Sequence, residues 1–224
     1  MNIKEKIRRY SLFTLSIFII ALGISVFVRT NLGTPPFSST PYVFSVNTPL
    51  TIGTYIFALF MLLVLIQLVI LGKKGIIENK FNLLAQIPIS FFFGFSTDLT
   101  MWMLSDFAPE GYFVRVISLI AGCVILAIGI SLEVVANVFM TSNEYTTQII
   151  ATRLNKEFGV IKMFLDTVLV TIAIVSSLIF TSTIVGVREG TVIAALIVGP
   201  IVKVIMPRLG FVKKWLVGGS KKSI

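Results

Sequence analysis

Six apolar stretches of near-membrane length, separated by loops whose basic charge alternates, constrain this chain more than any other feature of its sequence. They run over about 11–28, 52–71, 83–104, 114–135, 160–182 and 189–206. Each approaches the roughly 20 residues an α-helix needs to cross about 30 Å of hydrocarbon. Hydrocarbon offers no water to satisfy a backbone, so apolar runs of this length resolve into helices. The sequence therefore predicts an all-α membrane protein with about six transmembrane helices, the whole of 1–224 forming one membrane domain.

Orientation follows from the basic residues, which accumulate on the cytoplasmic ends of membrane helices. Lys4, Lys6, Arg8 and Arg9 precede the first stretch, and Lys73, Lys74 and Lys80 follow the second. Arg153, Lys156 and Lys162 follow the fourth, and Lys203, Arg208, Lys213, Lys214, Lys221 and Lys222 crowd the C-terminal end. The alternate loops hold one each, Arg29, Arg115 and Arg188, so the count is 16 against 3. Both termini are predicted on the cytoplasmic side. The first basic cluster looks like the start of a signal peptide. Its apolar run is too long for one and no small-x-small cleavage pattern follows, so it reads as a retained first helix.

Composition narrows the function classes. Only 13% of residues are charged and 56% are apolar, about half the charged share of a soluble domain. The net charge of +9 sits in short clusters between apolar runs, with no basic stripe carrying aromatics, and so argues for a bilayer as partner and against nucleic acid. There is no His and one Cys, Cys123, in an apolar run. No transition-metal site is spelled out, no intrachain disulfide can form, and no cofactor is expected. Gly-x-Ser-x-Gly, HExxH and P-loop patterns are absent, so an enzyme or a self-sufficient ATP-driven pump is not predicted.

The chain also repeats. Shifted by 106 positions, ALGIS at 21–25 lies on AIGIS at 127–131, and Arg9, Asn31, Thr40, Gly53 and Val64 fall on Arg115, Asn137, Thr146, Gly159 and Val170. Residues 9–71 give 15 identities in 63 pairs. The repeats span 9–104 and 115–208, three predicted helices each, and an odd number inverts the second copy in the membrane. Two unusual connections then become equivalent. Residues 31–50 are uncharged and rich in Pro, Ser and Thr; residues 137–158 start polar and continue with helical periodicity. Each is predicted as a short re-entrant or interrupted helical segment after the first helix of its half, and such paired segments point to a transporter's site.

TNLGTPPFSS after the first helix is similar to the LG-x-x-P-aromatic-Asp motif of the YitT/YczE family of bacterial membrane proteins. VREGTVIAALIVGP at 187–200 resembles that family's G-x-GT-V-x-x-A-L-x-x-GP signature through Gly190, Thr191, Val192, Ala195, Leu196, Gly199 and Pro200. The family's second-half acidic pattern falls on Glu144, Lys162 and Asp166. Ser38 stands where the family carries Asp, Thr141-Ser142-Asn143 replaces a Gly-Pro turn, and Lys162 and Asp166 replace Arg and Glu. The resemblance covers nearly the whole chain and implies a bacterial cytoplasmic membrane.

Ionisable groups inside a bilayer are costly and mark candidate sites. Asp166, with Lys162 four residues before it, forms either a self-neutralising structural pair or an ion- or proton-coupling site. Glu144 either caps a short helix started by Thr141, Ser142 or Asn143, or faces a cavity to recognise a cation or exchange a proton. Glu133 either reaches interfacial water or belongs to that site. Arg29 either snorkels to the outer headgroups or binds an anion. Gln86 and Gln148 are candidate cavity liners, and Asn31 and Asn137, paired by the repeat, can satisfy broken backbone. Together these predict a small secondary transporter, an ion- or proton-coupled carrier of a small metabolite with a midplane site between the repeats. A non-transporting membrane regulator or assembly partner, or a channel, are the alternatives, and a homodimer is compatible with all of them.

Overall fold

The structure is a computed structural model and describes residues 3–217; Lys221 and Lys222 of the charge count lie outside it. The described residues form eight helices: α1 (Ile3–Thr30), α2 (Pro36–Asn47), α3 (Ile52–Met103), α4 (Tyr112–Ala136), α5 (Ser142–Leu154), α6 (Phe158–Thr181), α7 (Glu189–Arg208) and α8 (Gly210–Val217). Five of them, α1, α3, α4, α6 and α7, are long and apolar enough to cross a membrane. The chain is an all-α membrane protein.

Helix α3 departs from the expected pair of helices joined by a loop over 72–80. Its 52 residues stay helical except at Gly72, where φ is 64° and ψ −179°. The charged residues that looked like a loop, Lys73, Lys74, Glu78 and Lys80, are good helix formers and do not stop a helix. Glycine reaches positive φ without a Cβ clash, so the break falls there. Across it the chain folds back: Gln67 bonds to Gln86, and the Gly53 amide donates to Asp98 Oδ1 at 2.8 Å. Gly53 and Gly94 touch backbone to backbone where the arms meet, a contact no side chain could share. The arms, 52–71 and 73–103, are about 30 and 46 Å long at 1.5 Å per residue.

Helices α1 and α4 form the spine. Gly23 lies against Leu126 and Gly129 against Ile20, so small residues let the two backbones approach closely. In the most apolar window of α1, 61% of the residues are buried, against 17% in α6 and in α7. Helix α1 is therefore central, whereas α6 and α7 turn their apolar side chains outward. The distribution is that of a lipid-solvated protein. Ser16, Ser25, Gln67, Gln86, Thr97, Thr100 and Ser131 are buried, whereas Leu65, Phe91, Ile179 and Val192 are exposed.

The remaining helices pack around this spine in two sets. Helix α2 packs on α6 and on α3, and α5 packs on α3 and on α6. Helix α1 contacts α3 through Ser25 and Thr100, whose hydroxyls are 2.7 Å apart, and α4 contacts α7. Helices α1 and α4 end alike. Asn31 (φ 58°) and Asn137 (φ 48°) both take the left-handed conformation, which Asn tolerates best after Gly and which stops a helix. That conformation is what the two matched asparagines contribute; their side chains do not tie down broken backbone. Pro35 and Pro36 then open α2, where a missing N–H costs nothing.

Candidate functional site

The turn after Asn137 brings the chain back so that α5 begins beside the end of α4. The N-cap of α5, Thr141, makes no side-chain cap. Its backbone amide instead donates to Glu133 Oε1 at 3.2 Å. Glu133 is 3% exposed, so the interfacial-water reading of this residue is corrected: the carboxyl is turned into the protein, where it serves as the missing cap. Glu144, in the first turn of α5, lies beside Glu133 and Lys162. Lys162 Nζ donates to Asp166 Oδ1 at 2.6 Å on one face of α6 and sits 5.9 Å from the centre of the Phe37 ring.

These groups line one small cavity of about 50 Å³ whose walls include Ile20, Phe37, Phe60, Phe93, Glu133, Asn143, Glu144 and Lys162. Phe93 meets Phe60 edge-on at 5.2 Å and Phe37 at 6.4 Å, so the wall facing the carboxyls is a continuous aromatic surface. Asn143 is 6% exposed. Its side chain lines the cavity. Of the ten predicted residues, Glu133, Asn143, Glu144 and Lys162 meet here, with Asp166 joined through its ion pair.

Below the cavity a buried amide network fixes α5. Gln67 and Gln86 exchange two hydrogen bonds of 2.9 Å, and Gln67 Nε2 also reaches Ser142 O and Thr146 Oγ1. The Ser90 and Ser142 hydroxyls are 3.2 Å apart. On the other side of this network lies a wider crevice of about 350 Å³, lined by Asn82, Gln86, Asn137, Phe139, Met140, Tyr145 and Gln148. Gln86, Gln148 and Asn137 thus belong to the crevice, not to the cavity, and Met140 and Thr141, adjacent in sequence, line one each.

The opposite end is sealed. Gly190 N donates to Leu32 O at 2.8 Å, Thr34 N to Gly186 O at 3.0 Å, and Arg188 to Asn31 O at 3.3 Å. The two stretches that carried the family resemblance, 32–36 and 190–191, interlock here, with Thr34 N donating to Thr191 Oγ1 at 3.3 Å. The cleft left beside Asn31 and Arg188 is only about 20 Å³. Arg29 lies at this end, donating to Met101 O at 2.8 Å, its Nε buried without a partner among the described residues. Neither Arg29 nor Asn31 is brought to the acidic cavity. The Arg29 guanidinium is anchored on the last turn of α3.

Residues 7–207, nearly the whole chain, match a family of unknown function, DUF6198. The chain belongs to that family. No curated protein and no solved structure matches it. In this DUF6198 chain the aromatic wall is what sequence reasoning missed: Phe37, Phe60 and Phe93 are three of 19 Phe, unremarkable in apolar runs. A signal for two of them exists in the 106-residue shift. Phe37 falls on Asn143 and Phe60 on Asp166, as Ser38 falls on Glu144 and Phe27 on Glu133.

Proposed function

We propose that this chain is a small secondary carrier of the bacterial cytoplasmic membrane, coupled to an ion or proton, with its site between two inverted three-helix repeats. The observation that carries the reading is the cavity itself. Carboxyl, amide and ammonium groups from α4, α5 and α6 face an enclosed aromatic space, and such groups are expensive at membrane depth unless they serve a ligand or a proton.

The packing supports the inverted repeat. Let α1, α2, the first arm of α3 and its second arm exchange with α4, α5, α6 and α7. The contact of α2 with α6 then becomes that of α5 with α3, and the contact of α1 with α3 becomes that of α4 with α7. The Gly23–Leu126 contact becomes Gly129–Ile20 under the same 106-residue shift. Counting both arms of α3 as crossings gives six spans with both termini inside. Kinship with the YitT/YczE family belongs to the same reading, supported by the interlocking of its two motif stretches at Gly190 and Thr34. The wide crevice lies at the end that carries Arg153 and the 72–80 turn, and the seal at the end with Arg188. That is the arrangement of a carrier open inward and shut outward.

Reconstitution tests it. Proteoliposomes carrying the chain are screened for uptake of a metabolite panel under imposed proton and sodium gradients, with Glu144→Gln and Asp166→Asn in parallel. The reading expects at least one solute to move, and at least a tenfold loss in E144Q. If nothing moves under any gradient, the carrier reading falls and a regulatory role replaces it; gradient-independent conduction makes the chain a channel.

A further inference from the structure

The cavity has two chemically distinct halves, and they come from different repeats. Phe37 and Phe60, from the first repeat, stand at the positions that Asn143 and Asp166 occupy in the second. A ligand between them meets an aromatic face on one side and carboxyls on the other. Among the described residues the ionisable groups lining this space are Glu133 on α4, Glu144 on α5 and Lys162 on α6, with Asp166 behind Lys162 in its ion pair. Helices α1, α2 and α3 contribute Ile20, Phe37, Phe60 and Phe93, none ionisable.

We propose that this cavity binds a small organic monocation, an alkylammonium group, in exchange for one proton of the Glu133–Glu144 pair. The inference deepens the carrier reading and rests on it for its meaning, though not for its test.

Charge sets the sign. Lys162 is ion-paired with Asp166, so the two together bring no net charge to the Glu133 and Glu144 carboxyls. Two carboxyls lining one small cavity repel each other when both are ionised, and a low-dielectric, aromatic surround tolerates only assemblies near neutrality. Two such assemblies exist: the empty site with both carboxyls protonated, and the loaded site with one carboxylate beside one monocation. Passing from the first to the second breaks one carboxylic O–H bond, and the proton leaves to bulk water. With the Lys162–Asp166 pair kept, an anion has no neutral assembly here.

The lining sets the class. A hard metal cation takes six or more oxygens, and among the described residues no cluster suited to a metal occurs. An alkylammonium instead presents apolar C–H surface to an aromatic face, which attracts cations within about 6 Å of a ring centre. Lys162 Nζ already sits at that range from Phe37, so the wall holds an ammonium in this structure. The Asn143 amide, which lines the same space, offers its oxygen to a further N–H donor. A volume of about 50 Å³ suits a head group of a few heavy atoms, since one water needs about 10–15 Å³ measured in this way.

The test needs no transport. Purified full-length chain in detergent, in weak buffer at pH 7, is titrated with methylammonium and tetramethylammonium chloride, with a pH-indicator dye reporting proton release. Saturable binding of at least one probe, with about one proton released per chain, is expected, and apparent affinity should tighten up to about tenfold per pH unit. Glu144→Gln and Glu133→Gln should each keep a release of about one proton, since one carboxyl remains. The double variant should abolish both binding and release, and Asn143→Ala should weaken binding about tenfold with the release kept. The proposal is overturned if neither probe binds, if binding releases no proton in the wild-type chain, if release survives in the double Gln variant, or if acetate binds instead. Cation binding with proton release but no flux in any vesicle would sink the carrier reading alone. Flux of some other solute without cation binding would sink this inference alone.

Discussion

Replacing Gln67 by Leu tests how the short helix α5 is held, because its loss leaves a specific pair of atoms stranded. Gln67 is fully buried and Gln86 2% exposed, and the two amides exchange both of their mutual hydrogen bonds at 2.9 Å. In Gln67→Leu the side-chain volume is nearly kept, so little cavity forms. Gln86, however, loses the partners of both its oxygen and its nitrogen. Two buried unsatisfied groups cost about 2–6 kcal/mol at about 1–3 each, whereas two interhelical bonds at the membrane average of about 0.6 come to only about 1 kcal/mol. The expected loss is between these, about 2 kcal/mol. Gln86→Leu should cost about half as much, because Gln67 Nε2 keeps Ser142 O and Thr146 Oγ1 and only its oxygen is stranded. The double variant strands neither amide and should cost no more than about 1 kcal/mol. The coupling is thus about 2 kcal/mol relative to additivity. Equilibrium unfolding of the four proteins in mixed detergent–SDS micelles measures it. A double variant that loses the sum of the singles, about 3 kcal/mol, would refute the reasoning.

Two further predictions concern the scaffold and its orientation. A Cβ on Gly129 would stand 2.7 Å from Ile20 Cγ1 and 2.8 Å from Ile20 N, so Gly129→Val should force α1 from α4 and destabilise by about 2–3 kcal/mol. Gly199→Val, with nothing within 4 Å, should cost under about 1 kcal/mol in the same unfolding assay. In a Cys123→Ala background, Glu110→Cys should react with a membrane-impermeant maleimide on intact cells and Ile76→Cys only after permeabilisation. Inside-only reaction at residue 110 would remove the both-termini-inside topology.

The long apolar helices were legible because lipid solvation imposes a length and a composition that no other environment asks for. The break within α3 was legible only in kind: three lysines and a glutamate over 73–80 read as a loop, yet they stay helical, and one glycine turns the chain. The acidic cluster was legible because charge is scarce here, so Glu133, Glu144 and Asp166 stood out wherever they pointed. How they combine was not. Thr141 and Glu133 meet through a backbone amide that no residue pattern encodes, and the grouping of Gln86 and Gln148 with the crevice depends on where α5 docks. The aromatic wall was hidden by abundance. Only packing selects Phe37, Phe60 and Phe93 from 19 phenylalanines.

What separates this cavity from a structural polar cluster is that its polar groups do not complete one another. The Gln67–Gln86 network next to it shows the alternative: four amide atoms, each with a partner, holding two arms of a hairpin and the start of α5. A membrane protein that needs only cohesion can stop there. The cavity instead turns the Asn143 amide toward open space and sets two carboxyls around it, while an ammonium that could have bridged them is held on Asp166. Each of these choices costs stability that a Phe or Leu at the same place would not cost, and in the first repeat Phe27 and Phe37 stand at the positions matched to Glu133 and Asn143. The second repeat therefore carries the charge and the first the shape, a division that a passive bundle has no reason to keep.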